Sequence, residues 1–493
     1  MATYYWVGGT GTWDNTSTAN WSASSGGAGG AGPPLAADTV NFDANSGTGT
    51  VTVATGAVCN VLTHGAANIT ILLTVNLTAT AGTTFTTGTI NINNCVLTTL
   101  SFISTANAAR TLNFGASGKL VCTRTTAVSF AVDWYNATTP MTVLGTPLVE
   151  FTGNWAAGVT QQFRSQSTAP TNPPSVNIKA GLGTFALGSG FGFKNVDFTG
   201  FAGTYLTYGV NIYGNMTLPT GMLTSVGNSS AIVFLASSET QSLTTSGVTL
   251  DIPITVGAAG TTNTLRLEDN LTLGSTRAVT LTSGTLDLAG KTLSAQSLAT
   301  SNSNTRTLAF GTNGVLTLSG TGTAFNAATS TGLSVTGTGT ISLTNASTKT
   351  FAGGGVTYPI INQAGAGALT ISGSNTFTNI TNSTQPTTIT LTSGTTQTVT
   401  NFTASGTSGN LITLNASTAG NRATLTDSGG VNSVSYMDIK DIAATGYGEW
   451  QAYTSDGNVD SGNNVGWVFA EPPPLTASEY QISLKSFTER RSF

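Results

Sequence analysis

Short runs of alternating apolar and polar residues, each closed by Gly, Asn or Ser, constrain the fold of this chain most. They include TVTV, ITILLTVNLTA, GTININN, GTLDLAG, GVLTLSG and GTISLTN. A period of two, punctuated by turn residues, is typical of short β-strands. No convincing 3.6-residue period occurs before the C-terminal tail. The pattern therefore predicts an all-β protein.

The composition agrees with an ordered chain of strands. Only 7% of the 493 residues are charged, against roughly 25% in an ordinary soluble domain. Disordered chains combine low hydrophobicity with high net charge. Here the hydrophobic fraction is 39% and the net charge is −4, so order is favoured. The scarcity of Lys, Glu and Arg argues against long exposed helices.

An internal repeat adds a second constraint. The segment TANAARTLNFGASGKLVC (Thr105–Cys122) matches SNSNTRTLAFGTNGVLTL (Ser301–Leu318) at an offset of 196 residues, with Arg110 aligned to Arg306. Upstream, TTGTINI matches TSGTLDL at the same offset. Self-similarity between strand–turn units indicates a solenoid, here with two copies of a β-rich unit.

We therefore expect a right-handed parallel β-helix, or β-solenoid, with an aromatic N-terminal cap and a short C-terminal tail. Each strand would pair with the strand one winding above and below, at about 4.8 Å per winding. Apolar side chains would stack inside, while Thr, Asn and Ser would face outward. Gly and Asn would supply the positive φ angles that the corners require.

The chain divides into four predicted regions. Residues 1–45 form a cap rich in Trp and Tyr, although a sugar-binding platform is the alternative for the same rings. Residues 46–249 form a first solenoid unit and residues 250–470 a second one. Residues 471–493 hold a polyproline spacer, Pro472–Pro474, and a charged tail that we interpret as a docking segment or a disordered end.

Within the first unit, residues 120–235 are less regular and richer in aromatic residues. We expect longer loops here, and we predict that any ligand surface lies among them. The candidate ligand-binding residues are Trp134, Tyr135, Trp155, Tyr205 and Tyr208. Interior packing is the alternative interpretation of all five.

The sequence contains no convincing catalytic, cofactor or metal site. Cys59, Cys95 and Cys122 are odd in number and lack metal-ligand spacing, so we expect them to be packed in the solenoid interior. His64 is the single histidine, and nothing marks a Ser, Cys or Asp as its partner. We therefore predict that the protein is not an enzyme.

The acidic residues leave one alternative open, namely the paired carboxylates of a glycosidase or lyase. The candidate pairs are Glu268/Asp269 and Asp438/Asp441, and Glu150, Asp197 and Glu239 could converge in space. Adjacent residues of a regular strand face opposite sides, which argues against Glu268/Asp269. The loop Asp456–Gly462 superficially matches a calcium loop, but a turn with Asx hydrogen bonds is favoured because its glycine is displaced by one position.

The C-terminal half resembles a known family. The stretch TFAGGGVTYPIINQAGAGALTISGSNTF, its continuation from Gly409, and the segment VSYMDIKDIAATGYGEW that runs on to Phe469 carry the resemblance, as does the opening YYWVGGTGTWD. These segments resemble a Gly/Thr/Asn-rich β-solenoid family common among bacteriophage virion proteins and some bacterial surface proteins. Together they cover roughly a third of the chain.

This resemblance implies a tail fibre, tail spike or capsid fibre that contacts host surface glycans. We expect other virion proteins as partners and a homotrimer, because side-by-side association would bury exposed strand faces. We expect no cofactor, no nucleic acid and no membrane insertion. We expect a virion location after assembly in the host cytoplasm, because the first 109 residues carry no Lys or Arg and so offer no signal-peptide n-region. A polysaccharide depolymerase on the same scaffold and a bacterial surface adhesin are the alternatives.

Overall fold

The fold is an all-β parallel solenoid of about 19 turns. The structure is a computed structural model that describes residues 1–165, 172–188, 190–226, 230–427 and 429–471. Strand pairing is parallel throughout the described sheets, except where Thr3–Trp6 pairs antiparallel with Trp21–Ser22. The prediction of a parallel β-solenoid is confirmed, and its right-handed sense stays a prediction. The predicted tail lies, beyond Glu471, outside the described residues.

The chain forms two compact units. Unit 1 comprises residues 1–320 and 324–340, and unit 2 comprises residues 321–323 and those from 341 onward. The strands Gly322–Asn326 and Gly339–Leu343 contain the boundary. The boundary predicted between residues 249 and 250 lies inside the strand Thr249–Leu250 of unit 1.

Unit 1 is built from four groups of stacked strands. The largest sheet contains Thr3–Trp6, Trp21–Ser22, Thr39–Phe42, Val58–His64, Leu77–Phe85, Val96–Thr99, Phe102–Ile103, Lys119–Cys122, Val132–Asp133, Leu148–Phe151, Thr160–Arg164, Ser175–Ile178, Thr184–Leu187, Val196–Asp197, Thr204–Thr207, Met216–Thr217, Leu223–Val226, Thr240–Thr244, Thr264–Leu267, Gly284–Asp287, Arg306–Ala309 and Leu333–Thr336.

The other strands of unit 1 stack on the remaining faces. A second group is Gly11–Trp13, Gly49–Val53, Ile69–Leu73, Gly88–Asn91, Arg110–Asn113 and Thr142–Leu144. A third is Phe191–Phe193, Val210–Ile212, Ile232–Phe234, Ile254–Val256, Val279–Leu281 and Leu298–Ala299. A fourth is Thr249–Leu250, Leu271–Leu273, Thr292–Ala295 and Gly314–Leu318.

Unit 2 has three groups of stacked strands and a short 3-10 helix, Thr454–Asp456. The first group is Lys349–Ala352, Leu369–Ser372, Thr387–Leu391, Ile412–Ala416, Met437–Lys440 and Val459–Asp460. The second is Thr357–Tyr358, Ile360–Gln363, Thr376–Asn382, Thr396–Phe402, Ala423–Asp427 and Ile442–Gly446. The third is Val431–Ser433, Glu449–Gln451 and Trp467–Val468.

The alternating pattern produces the interior directly. One apolar residue of each strand stacks on its counterpart in the next winding, and each member of the longest such column in unit 1 is at most 1% exposed. The members are Leu77, Leu97, Leu120, Val149, Val176, Val196, Met216, Leu243 and Leu267. Complete burial of one such side chain contributes about 1.5–3 kcal/mol.

A second interior column is aromatic. Its ring centroids follow one another at 5.0–6.4 Å, and every member is buried. The members are Phe42, His64, Phe85, Phe102, Trp134, Phe163 and Phe193. At the N-terminal end of this column Trp6, Trp13 and Trp21 surround Phe42 at 5.9–6.0 Å between ring centroids, with Trp21 edge-on to the other three rings, and each Trp is at most 1% exposed. This burial fits a cap and removes these three indoles from any surface platform.

The repeated arginines have the same local setting on different sheets. Arg110 and Arg306 each begin a strand, and each is at most 2% exposed. The strand of Arg110 belongs to the second group and that of Arg306 to the largest sheet. The repeat therefore marks a shared strand-and-corner motif, not equivalent positions in two copies of a unit.

Candidate functional site

A groove of about 440 Å³ lies on unit 1. Its lining combines hydroxyl, amide and ring groups with one cation and one anion. The lining residues are Gly145, Thr146, Pro147, Asn172, Pro173, Ser175, Lys194, Tyr213, Ala236, Ser237 and Glu239. It lies within residues 120–235 and their immediate continuation, where loops were predicted.

The groove follows one corner of the solenoid through five successive windings. The corner leads into the strands Leu148–Phe151, Ser175–Ile178, Val196–Asp197, Met216–Thr217 and Thr240–Thr244, which pair in that order. Four steps of about 4.8 Å make the groove roughly 19 Å long. Thr142–Leu144 ends one sheet and Phe191–Phe193 begins another, and no described strand of either sheet lies between them in the chain.

Hydrogen bonds between windings hold this corner in place. Asn195 Nδ2 donates to Ser175 Oγ at 3.2 Å, and Asn195 Oδ1 accepts from the Asn215 backbone N at 2.8 Å. Asn215 Oδ1 in turn accepts from Ser242 N at 2.8 Å. Gly214 packs closely against the preceding winding, because a Cβ atom at this position would lie only 2.6 Å from the Lys194 carbonyl oxygen. The floor of the groove is therefore pre-formed.

Further polar side chains of the lining have defined partners. Lys194 Nζ lies 2.5 Å from Glu239 Oε2 and 3.5 Å from the Tyr213 carbonyl oxygen. Asn172 Nδ2 donates to the Gly145 carbonyl oxygen at 2.8 Å. Tyr213 is half-buried, and burial raises the pKa of its hydroxyl, so the hydroxyl stays protonated at neutral pH.

Three of the five aromatic residues predicted to bind a ligand lie in the interior. Trp134, Trp155 and Tyr205 are each at most 1% exposed, because each points into the aromatic packing between windings. They cannot form a surface platform, and the expectation for them is corrected accordingly. Tyr135 and Tyr208 are half-buried and remain candidates.

Tyr135 has a specific neighbourhood. Its ring centroid lies 5.1 Å from that of Phe191, and the Arg164 guanidinium lies 5.0 Å from the Tyr135 ring centroid. Arg164 also forms a two-point ion pair with Asp133. These contacts hold the ring against the protein and leave only part of it to solvent.

Each acidic residue considered for catalysis in this region has a basic partner in another winding, one winding away for Glu150 and Asp197 and two windings away for Glu239. Glu150 Oε2 lies 2.7 Å from Lys119 Nζ, and Asp197 Oδ2 lies 3.3 Å from Lys179 Nζ. Burial alone would raise the pKa of Asp197, but hydrogen bonds from Thr199 and Lys179 hold it below its usual value. A general acid needs the opposite shift.

In the other two candidate pairs, Glu268/Asp269 and Asp438/Asp441, each carboxylate binds a partner of its own. Glu268 lies 3.6 Å from Arg266, whereas Asp269 accepts from the backbone N of Thr245 at 2.9 Å. The two neighbours thus have different partners. They follow the strand Thr264–Leu267 and do not lie within it, so the alternation expected of a regular strand does not apply to them. Asp441 is buried and accepts from Asn463 Nδ2 at 2.6 Å.

The predicted turn in Asp456–Gly462 contains an Asx hydrogen bond. Asp460 Oδ1 accepts from the backbone N of Gly462 at 3.0 Å and from Asn464 Nδ2 at 2.7 Å. Asp438 bonds to Ser461 and not to Asp441. Over the described ranges, no three His, Cys, Asp or Glu side chains are grouped closely enough to hold a metal ion.

His64 and two cysteines are interior groups. His64 is fully buried, and burial lowers its pKa to about 4, so the ring is neutral at physiological pH. Burial raises the pKa of Cys59 to about 12 and that of Cys122 to about 11, which keeps both thiols protonated. Cys95 is partly exposed, so the expected interior position holds for Cys59 and Cys122 only.

Sequence reasoning named Glu239 only as a candidate acid and did not place it in a groove with Pro147 and Lys194. Pro147, Lys194 and Glu239 belong to different windings, and no local motif joins them. The one signal available was the concentration of irregular, aromatic-rich sequence between residues 120 and 235. That signal located the region, but it led to the prediction of Trp134, Trp155 and Tyr205 as binding residues, and these three pack in the interior.

Comparison with known proteins adds no relative. No protein-family model matches the chain, and no curated protein or solved structure matches it either. In the portions of the chain that the structure describes, no helix has the length and apolar character needed to span a membrane.

Proposed function

We propose that this protein is a structural and adhesive β-solenoid component of a bacteriophage virion, as a tail fibre, tail spike or capsid fibre, and that it contacts host surface glycans. Other virion proteins and further copies of the chain, in a homotrimer, are its partners. The virion is its location, after assembly in the host cytoplasm. The groove on unit 1 is the contact site.

The groove is the observation that carries the glycan-binding part. Its lining offers amide, hydroxyl, ammonium and carboxylate groups beside the apolar faces of Tyr213, Pro147 and Pro173. Such a mixture suits a ligand whose surface alternates hydroxyl groups with apolar ring faces. Single exposed hydrogen bonds contribute little, so a virion would depend on several copies binding together.

The solenoid supports the structural part of the proposal. Each winding hydrogen-bonds to the next, and the apolar columns run continuously through many windings of unit 1. Few ionic groups need to be desolvated in such a stack, since 7% of the residues are charged. A scaffold of this kind presents one groove in a fixed geometry.

Two measurements test the proposal. Gold-labelled antibody against this chain should decorate an appendage or the capsid of intact particles in electron micrographs, and labelling of host membranes only would contradict a virion role. Purified protein on an array of bacterial surface glycans should bind a subset of them. Absence of binding to every glycan on the array would contradict the adhesive role.

A second candidate function is polysaccharide depolymerase. It is favoured by a row of polar side chains that are register partners in successive windings. Glu150 pairs in register with Asn177, and Asn177 with Asp197, so the two acids lie two windings apart, at about 10 Å between backbones. Both acids thus belong to one row of register partners, and inverting glycosidases hold their two carboxyl groups about 6.5–9.5 Å apart. Release of reducing ends by the wild type, lost in Glu150→Gln and Asp197→Asn, would establish this activity.

A further inference from the structure

We infer that Glu239 restricts the groove to uncharged saccharides, bound as an extended chain along the stacking direction of the windings. This inference rests on the proposed glycan binding and specifies its ligand class and its selectivity residue. It is carried by the shape of the groove and by the placement of its two charges.

The shape favours an extended ligand. The groove spans five windings, whose pairing places Pro147, Ser175, Lys194, Tyr213 and Glu239 in successive turns of the same corner. Its length of about 19 Å exceeds that of one sugar ring, since it covers four steps between windings. A chain of several linked sugars laid along the corner would contact every winding.

The charges favour a neutral ligand. Lys194 and Glu239 are the one cation and the one anion of the described lining, and they lie 2.5 Å apart, so their charges cancel. The side chain of Glu239 is 59% exposed and that of Lys194 is 39% exposed. Both therefore retain unused donors and acceptors toward solvent, which hydroxyl groups of a sugar can bind without breaking the pair.

An anionic sugar would meet a different situation. Its carboxylate or sulfate would have to displace Glu239 from Lys194 or lie beside the Glu239 carboxylate. Displacement is opposed by the loss of the existing pair, and proximity is opposed by like-charge repulsion. Since Asn172 already donates to a backbone carbonyl, it offers little compensation to the anion.

The experiment compares wild type, Glu239→Gln, Lys194→Met and Glu268→Gln. Glu268 is the matched control, because it is an exposed acid of unit 1 paired with Arg266 and absent from the groove lining. Circular dichroism checks that each variant is folded. The probes are neutral oligosaccharides and uronic-acid-containing oligosaccharides on an array, followed by calorimetry with the strongest neutral probe and the strongest acidic probe.

Wild type should prefer neutral probes. Glu239→Gln should bind the acidic probe about tenfold more tightly, with an affinity that falls as salt rises, because Lys194 is then unpaired. Lys194→Met should weaken the neutral probe without improving the acidic one, and Glu268→Gln should match wild type.

Two outcomes overturn the inference while leaving glycan binding intact. One is a wild type that prefers acidic probes, and the other is a Glu239→Gln variant that behaves like Glu268→Gln. Absence of all binding by folded wild type would instead contradict the proposed function itself. The two failures are therefore distinguishable.

Discussion

The imidazole of His64 lies parallel to the phenyl ring of Phe85, with 5.4 Å between centroids and 2° between planes. Its Nε2 donates a hydrogen bond to the Thr89 carbonyl oxygen at 3.2 Å, and it is fully buried. The single histidine of the chain thus replaces an aromatic residue in the interior column. Its protonation is therefore linked to the stability of unit 1.

This position predicts an acid-sensitive unit 1. The pKa of His64 is lowered by burial to about 4, whereas the unfolded value is about 6.5. Between these values the unfolded chain binds a proton that the folded chain does not, so stability is complete above about pH 6.5 and falls as the pH drops toward 4. The loss from pH 7 to pH 5 should be about 2 kcal/mol.

The variant His64→Phe isolates this effect. Phenylalanine keeps the ring stack with Phe85 but cannot titrate, so its urea-unfolding midpoint should change less between pH 7 and pH 5 than that of wild type. Carboxylates titrate equally in both proteins and cancel in the comparison. Equal pH dependence of the two proteins would contradict the assignment.

The hydrogen bonds of Arg110 predict a large loss of unfolding free energy when its guanidinium is removed. Its nitrogens donate to the Ser104 hydroxyl at 2.7 Å and to the carbonyl oxygens of Ser104, Ala106, Ala108 and Thr139 at 2.6–3.0 Å. Removing it leaves buried acceptors without donors.

Arg110→Met should therefore destabilise unit 1 by about 3 kcal/mol, measured by chemical denaturation. Lysine has fewer donors and no planar fork, so Arg110→Lys should rescue only part of the loss. The exposed Arg266 supplies the control, since Arg266→Met should cost under about 0.5 kcal/mol. Similar losses of unfolding free energy in Arg110→Met and Arg266→Met would contradict a stabilising role for the hydrogen bonds of Arg110.

The alternating pattern predicted the fold well because each winding obeys the same local rule. In GTLDLAG, for example, Leu286 and Leu288 are buried while Asp287 between them is not. Parallel stacking then follows, because each short strand can satisfy its backbone only against another winding. The sequence did not reveal the boundary between the compact units.

The candidate site was less predictable. Trp134 and Tyr135 are adjacent in sequence, yet one is interior and the other half-buried. Composition cannot tell a packing ring from a binding ring when both occur in the same irregular segment. Lys194 and Glu239 are in contact although they lie 45 residues apart in different windings, which no local pattern encodes.

The burial of the three cysteines predicts the order in which their thiols react with an alkylating reagent. Thiolate is the reactive form, and burial raises the pKa of Cys59 to about 12 and of Cys122 to about 11. Cys95 is partly exposed, although burial also raises its pKa. A thiol reagent at pH 8 should label Cys95 first in the native protein and all three in denaturant, as read by peptide mass spectrometry. Faster native labelling of Cys59 or Cys122 would contradict their interior position.

The apolar column of unit 2 predicts a contrast between two neighbouring residues. Leu414 stacks between Ile389 and Ile439 and is fully buried, whereas Thr413 beside it faces outward. Leu414→Ala removes buried methyl groups and opens a cavity that the windings on either side cannot fill, so it should cost about 3 kcal/mol.

Thr413→Ala removes only surface contacts and should cost under about 1 kcal/mol, chiefly through lower β-propensity. Because solenoids need not unfold in one step, the comparison is best made by hydrogen exchange of the amides in Ile412–Ala416 and in its paired strands. Exchange should accelerate across Thr387–Leu391 and Met437–Lys440 in Leu414→Ala, since each winding stabilises the next. Acceleration confined to residue 414, or equal in both variants, would show that the column does not couple neighbouring windings.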